Sequence, residues 1–247
     1  MILRQYFKNL WHQTAFENNL NLARLMEKNP HARVLDLGCS NGDLVKARVK
    51  QCIGSKDLWG VDIDGSALVK AKKKGLKTFY RDLNRCLPFK DNFFDVIESN
   101  QLIEHLHDTD TFLAEVCRVL KPGGYFLLST ENLSSWHNLL ALLFGFPAPS
   151  WHLSYRFLIK NPFSLFQSTP SKRTAHQRVF TLRGLKILLK AYSFRIEQVL
   201  TAGYYPFPNW LGKIMAEIDP VHAAFISLKA RKLKASGSNS SLKNRGR

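Results

Sequence analysis

Apolar residues recur along this chain in two rhythms. Short, nearly continuous apolar runs alternate with stretches in which apolar positions return every three or four residues. The first rhythm marks strands covered on both faces, and the second marks amphipathic helices. Residues 4–28 open in the helical rhythm, with Leu10, Trp11, Thr14, Phe16, Leu20, Leu22, Leu25 and Met26 on one periodic face, and Asn29-Pro30 ends it. Arg33–Leu37 then reads as a buried strand, and a turn of small residues leads to a helix from Asp43 to about Cys52. Leu58–Ile63 is a second strand. Asp64-Gly-Ser66 starts a short helix over Ala67–Lys74, closed by Gly75. Leu76–Tyr80 and Phe93–Glu98 are the third and fourth strands. Asp108 or Thr109 caps a helix with Phe112, Leu113, Val116, Val119 and Leu120 on one stripe. Lys121-Pro-Gly-Gly124 stops that helix before a fifth strand at Tyr125–Thr130.

Residues 131–178 break this alternation. They are aromatic and sparse in charge (Trp136, Phe144, Phe146, Trp151, Tyr155, Phe157, Phe163, Phe166), and prolines confine helix to about Trp136–Phe144. So long a connection is not passive in a compact domain, and its place after the fifth strand predicts a substrate lid. Order returns with a helix capped by Thr181 (Leu182, Leu185, Leu188, Leu189, Tyr192), a strand at Phe194–Leu200, a helix near Leu211–Ile218 and a last strand at His222–Leu228. The expected fold is α/β. It is a Rossmann-like, seven-stranded, mostly parallel sheet with helices on both faces, an antiparallel last strand and a lid inserted after strand five. The expected organisation is an N-terminal helical cap over 1–30, a catalytic domain over 31–231 with the lid at 131–178, and a disordered basic tail over 232–247.

Composition adds little to the fold but bears on partners. The net charge is +17, of which residues 229–247 supply seven positive charges and no negative ones. A second basic cluster, Lys70, Lys72, Lys73, Lys74 and Lys77, sits on one short helix and its exit. Nucleic acid or anionic lipid would be attracted by such charge. No aromatic residues interleave with those lysines as a stacking groove requires, so a solvated face explains the cluster better. No spanning helix and no signal peptide are read, and Cys39, Cys52, Cys86 and Cys117 show no metal-ligand spacing. Reduced thiols and a cytoplasmic location, with peripheral membrane contact open, are the expectation.

The turn after the first strand carries the chemistry. Gly38, Ser40 and Gly42 let backbone approach a ligand at the carboxyl edge of the sheet. Against the dinucleotide fingerprint Gly-x-Gly-x-x-Gly the positions are Gly38, Ser40 and Asp43, so two of three fail. Asp36, just before the turn, would repel phosphate and welcome a cationic ligand. S-adenosyl-L-methionine carries an ammonium and a sulfonium and no phosphate.

With those residues in register, the chain resembles the class I S-adenosylmethionine-dependent methyltransferases, in the small-molecule branch that includes ubiquinone-biosynthesis enzymes. Four motifs carry the resemblance: Asp36–Gly42, Asp62 closing the second strand, Asp82 after the third, and Leu120-Lys-Pro-Gly-Gly124. The resemblance implies S-adenosyl-L-methionine as cofactor. Asp36 would hold the methionine ammonium, with Gly38, Ser40 and Gly42 along the methionine end. Ser40 replaces the usual middle glycine, which a negative φ would accommodate. Asp62, with Ile63 beside it, would accept both ribose hydroxyls. Asp82 and the Leu83 amide would meet adenine, and Asn100 and Gln101 would line the methionine side.

Methyl transfer depends largely on alignment, and a hydroxyl acceptor also needs a base. Glu104, His105 and His176 are the candidate catalytic residues. Some relatives carry Glu-x-x-Glu-His, a metal-binding arrangement, where this chain has Gln101-Leu-Ile-Glu-His105; Gln101 is a poor cation ligand, so no metal is expected. After the fourth strand, Ser99-Asn-Gln-Leu lacks the prolines of nucleobase-amine methyltransferases, and Cys117 lies mid-helix, where a cytosine-5 nucleophile would not. The reading is methylation of a small or lipid-like acceptor at oxygen, since an aromatic lid suits an apolar or ring-bearing substrate. An RNA methyltransferase and a non-catalytic S-adenosylmethionine-binding partner protein are the alternatives.

Overall fold

The computed structural model describes residues 2–154, 156, 157, 159, 161 and 175–234. In chain order the elements are α1 (Ile2–Arg24), β1 (Arg33–Leu37), α2 (Asp43–Arg48), β2 (Asp57–Asp62), α3 (Gly65–Lys73), β3 (Lys77–Tyr80), β4 (Phe94–Asn100), α4 (Thr109–Val119), β5 (Leu120–Glu131), α5 (Trp136–Leu143), α6 (Leu182–Ala191), β6 (Phe194–Ala202), α7 (Asn209–Ile218) and β7 (Phe225–Lys232). A π-helical turn, Val49–Ile53, extends α2, and a 3-10 turn, Ile103–His105, follows β4. The strands form one sheet in the order β3-β2-β1-β4-β5-β7-β6. β1 to β5 pair in parallel, and β7 runs antiparallel to both β5 and β6, as the chain's last strand was expected to. Strand order reverses between β1 and β4, so a crevice opens at their carboxyl ends.

Alternation along the strands sorts the core into two layers. Leu35 and Leu37 of β1, Ile97 of β4 and Phe126 and Leu128 of β5 pack against Phe112, Leu113 and Val116 of α4 and Leu185 and Leu189 of α6. Val34, Val96, Tyr125 and Leu127 point the other way, to Leu22 and Leu25 at the end of α1 and to Val45 and Val49 after the turn. The caps agree with the sequence. Asp64 accepts from the Ser66 and Ala67 amides, Asp108 from Thr111, and Thr181 from Gly184.

α1 departs from expectation. Trp11 and Phe16, counted on its inner face, are 36% and 64% exposed, whereas Thr14, Glu17, Asn18 and Asn21 are buried. The helix crosses the carboxyl ends of the strands, where the facing side chains are polar, so a polar helix face is the one that matches. Asn18 Oδ1 accepts from Ser129 Oγ of β5 (2.9 Å) and Ser227 Oγ of β7 (2.8 Å), and Asn21 Nδ2 donates to Thr201 O (3.1 Å). Residues 1–30 are therefore bound into the sheet rather than set on top of it.

The boundary of the tail also shifts. Lys232, assigned to the tail from the sequence, pairs with Phe194 in the sheet, and its ammonium donates to Asn92 Oδ1, Cys117 O and Leu120 O. Its long stem lets one lysine satisfy carbonyls at the end of α4, a role that a run of basic residues conceals. Of the expected lid, α5 begins just beyond β5, and Asn132 bridges to Phe180. Tyr155, Phe163 and Phe166 lie outside the described residues, as do positions 235–247 of the expected tail.

Candidate active site

The turn after β1 is held by its neighbour strand. Gly38 donates to Val61 O (2.8 Å), and Ser40 N donates to Asp62 Oδ2 (2.8 Å). The other Asp62 oxygen accepts from Asp64 N (2.8 Å). Each carboxylate oxygen keeps a lone pair for a ligand hydroxyl. Gly38 (φ +80°) and Gly42 (φ +76°) lie in the left-handed region, and a Cβ on Gly42 would sit 2.9 Å from Leu76. Ser40 is left-handed too, at φ +46°, against the negative φ that its replacement of a glycine suggested. A side chain costs about 1–2 kcal/mol there, and the charge-assisted bond from its amide to Asp62 offsets that strain.

Asp36 is buried on the face shared by α1 and α2, and its register partner on β4 is Glu98, which is 0% exposed. Burial, the Glu98 charge and the more distant Asp62 charge raise the Asp36 carboxyl well above the usual carboxylate range, and Arg48 opposes them. Arg48 of α2 is ion-paired with Glu98, and its other nitrogen donates to Asn19 Oδ1 (2.7 Å). No sequence motif announced this pair. Its members are far apart in the chain, and each alone reads as a surface residue.

The remaining cofactor candidates fall around the same edge, in different states. Asp82 Oδ1 accepts from Asn84 N (3.0 Å) and Asn84 Nδ2 (2.9 Å), a self-closed turn that holds its carboxyl below the usual range. Leu83 is buried in the core and Ile63 is exposed, just past β2. Asn100 is the last residue of β4, not a loop residue, and its amide is spent on α1: it donates to Asn19 Oδ1 (3.1 Å) and accepts from Asn18 (3.3 Å). Gln101 (φ +52°) turns the chain away. The orientation of its amide that serves its neighbours on the following turn and on β5 donates to Glu104 Oε1 (3.2 Å) and accepts from Thr130 N (3.2 Å).

The three catalytic candidates come together. Glu104 O accepts from the Gln177 and Arg178 amides (2.7 and 3.1 Å), which fastens the segment before α6 to the turn after β4. Ligand atoms of Glu104, His105 and His176 then lie within 4.8 Å of one another, the one such group among the described residues close enough to share a cation. His105 Nδ1 donates to Ala175 O (3.2 Å) and His176 Nδ1 to Ser150 O (2.7 Å), so each ring keeps its Nε2 lone pair. Glu104 is buried, bonded by Thr130 Oγ1 (2.8 Å), and burial pushes its carboxyl up to about 7. Burial lowers His105, which keeps it neutral near pH 7. His152, a histidine of the inserted segment, has its ring 4.6 Å from that of His176, and its Nδ1 accepts from the His176 amide (3.0 Å). His137, another histidine of the inserted segment, is pushed down to about 4 by burial and packs on Tyr205 instead.

Comparison with known proteins gives this arrangement its class. Residues 35–128 match the family described as methyltransferase domain. A protein of Burkholderia mallei named ubiquinone/menaquinone biosynthesis C-methyltransferase UbiE is 37% identical over 101 residues, 38% of this chain and 41% of its own length. A Schizosaccharomyces pombe protein named an uncharacterised methyltransferase is 33% identical over 117 residues, 42% of this chain and 41% of its own length. The matched stretch thus spans less than half of these relatives. Among solved structures, an S-adenosylmethionine-dependent methyltransferase from Mesorhizobium loti has TM-score 0.55 at 18% identity, covering 86% of this chain and 96% of that one. One from Methanosarcina mazei has TM-score 0.57 at 20% identity, covering 85% and 95%. Residues 35–128 thus form a methyltransferase domain, and the fold is that of solved S-adenosylmethionine-dependent methyltransferases. That domain carries the first five strands of the sheet, and its cofactor is S-adenosyl-L-methionine.

The site fits that cofactor. Asp36 lies within β1, Asp62 closes β2 and Asp82 follows β3, three adjacent strands whose carboxylates make an acceptor set suited to an ammonium, a ribose diol and an exocyclic amine. A Cβ at Gly38 would come within 3.1 Å of Leu102, so the turn packs this closely on the segment after β4 only with glycine there.

Proposed function

We propose that this protein methylates a small or lipid-like acceptor at oxygen. The observation that carries the reading is the cluster of Glu104, His105 and His176 at the same sheet edge as the three cofactor-facing carboxylates. When bound, S-adenosyl-L-methionine supplies a methyl group on a sulfonium, open to in-line displacement. Asp62 and Asp82 orient the nucleoside end, and Asp36 answers the positive charge of the methionine end. An acceptor hydroxyl gives its proton to a free Nε2 of the His105–His176 pair, each ring held in one tautomer by a backbone carbonyl. Glu104, poised near neutrality, stabilises the imidazolium that forms. The inserted segment after β5 supplies Ser150, His152 and His176 to this wall, consistent with an acceptor bound beneath it.

Incubation with methyl-labelled cofactor and fractionated cell extract tests the reading. Label is expected in the small-molecule or lipid fraction, and His105→Ala should abolish it without changing cofactor affinity. Label confined to RNA or protein, or none in any fraction, would overturn it.

A further inference from the structure

The carboxyl edge of the sheet carries a second feature, outside the catalytic wall. Glu131 at the end of β5 pairs with Phe225 at the start of β7, which pairs with Ala202 at the end of β6. α5 and α7 therefore both grow from the edge where the cofactor binds. α7 turns Trp210, Ile214 and Ile218 to solvent (67%, 47% and 73% exposed), four residues apart and so on one stripe. α5 does the same with Trp136 and Leu143, and α1 with Ile2 and Leu3. The roots of these helices touch. Trp136 Nε1 donates to Tyr204 OH (2.8 Å) and its ring lies 4.6 Å from His222, on the two flanks of α7. Tyr6 OH of α1 donates to Pro206 O (2.9 Å) in the turn that leads into α7.

Charge accumulates at the same end. Arg4 and Lys8 stand on α1, which has no acid before Glu17, and Arg156, in the segment after α5, is exposed. Apolar stripes on three helices at one edge, with Arg4, Lys8 and Arg156 set against Glu217 of α7, complement one kind of surface: apolar acyl chains under anionic headgroups. Each nearby cation adds about 1 kcal/mol of attraction to such a surface. RNA would gain from the cations but has nothing to place against Ile214 and Ile218. Among the described residues no helix is long and apolar enough to cross a bilayer, so attachment by this end would be interfacial.

We propose that the protein docks on anionic lipid bilayers through the exposed stripes of α5 and α7, with the active-site edge facing the membrane. Docking does not depend on methyl transfer, so this inference and the proposed reaction fail separately.

Co-sedimentation of the full-length chain with vesicles tests it, comparing phosphatidylcholine alone with a mixture rich in phosphatidylglycerol. Binding is expected on the mixture, weakened by salt. Trp210→Glu combined with Ile214→Glu should weaken it at least tenfold, and Leu143→Glu should weaken it on its own. These side chains are exposed, so the unfolding midpoint and cofactor affinity should stay unchanged and certify the fold. Undiminished binding by these variants would overturn the proposal, as would loss of all binding on ending the chain at Lys234, which would assign attraction to the tail alone. Absence of vesicle binding in a protein that light scattering finds dimeric, and that the α7 variant makes monomeric, would assign the stripe to a second copy.

Discussion

Arg48→Met removes one partner of a buried charge pair and leaves the volume nearly filled. The Arg48 side chain is 8% exposed and that of Glu98 is not exposed at all. After the change, Glu98 faces Asp36 on the next strand with no cation beside it. Breaking such a pair costs about 3–5 kcal/mol, because the remaining charge is buried without compensation. Against a total stability of about 5–15 kcal/mol, that is a large share of the whole. The double variant Arg48→Met/Glu98→Leu removes both charges and should return to within about 1 kcal/mol of the parent, since apolar replacements of buried pairs are close to neutral. Asn19 loses a donor in either case but keeps Asn100 Nδ2. Urea unfolding of the three proteins decides the matter. A single variant that loses less than about 1 kcal/mol, or a double no more stable than the single, would refute the account of this pair.

Other outcomes follow from the same site. Asp62→Ala should weaken cofactor binding at least tenfold, or ~1.4 kcal/mol, in isothermal titration, because the ribose loses a charged acceptor and Ser40 loses the bond that holds its left-handed backbone; near-native affinity would remove Asp62 from the site. Burial raises the Glu104 carboxyl from the ordinary 4.5 to about 7 in the folded chain. Its contribution to stability is therefore full below about pH 4.5 and is lost as the pH rises through 7, by roughly 3 kcal/mol. Glu104→Gln should flatten that part of the stability profile, and an unchanged profile would show that the carboxyl titrates normally. A chain ending at Arg231 should unfold at lower temperature than one ending at Lys234, because only the second keeps the three bonds of Lys232; equal midpoints would return Lys232 to the tail.

The parts of this molecule that could be read from its sequence are those in which one residue type answers one local demand. Val34, Ile97 and Phe126 sit in strands covered on both faces, and that burial writes itself as an apolar run. The places of Asp62 at the end of β2 and Asp82 past β3 could be read because the apolar runs before them could. What stayed hidden depended on contacts across the chain. Periodicity counts apolar residues, so it put Phe16 inside and overlooked Asn18, whose partners lie on β5 and β7. The backbone of Ser40 is fixed by a carboxylate on another strand, which no local propensity reports. Asn100 follows the same logic, claimed by α1 and not by the pocket. His152 reached the catalytic wall only because backbone bonds to Glu104 draw the segment before α6 across the sheet edge.

Asn18 joins hydroxyls from β5 and from β7, the last of the seven strands in chain order. A helix that precedes all seven strands thus finds its seat only when the sheet is complete, and contacts of that sequence separation form late because their loop-closure entropy is opposed by nothing until the strands between are in place. Through Asn19 the same helix reaches Arg48 and so the buried carboxylates of Glu98 and Asp36. Competence to bind would then be a checkpoint on completion of the sheet: a nascent chain that has already made its glycine turn and Asp36, Asp62 and Asp82 would still hold no ligand. Ribosome-bound chains halted before Ser227 should fail to retain labelled cofactor, and retention by them would place the seating of α1 earlier.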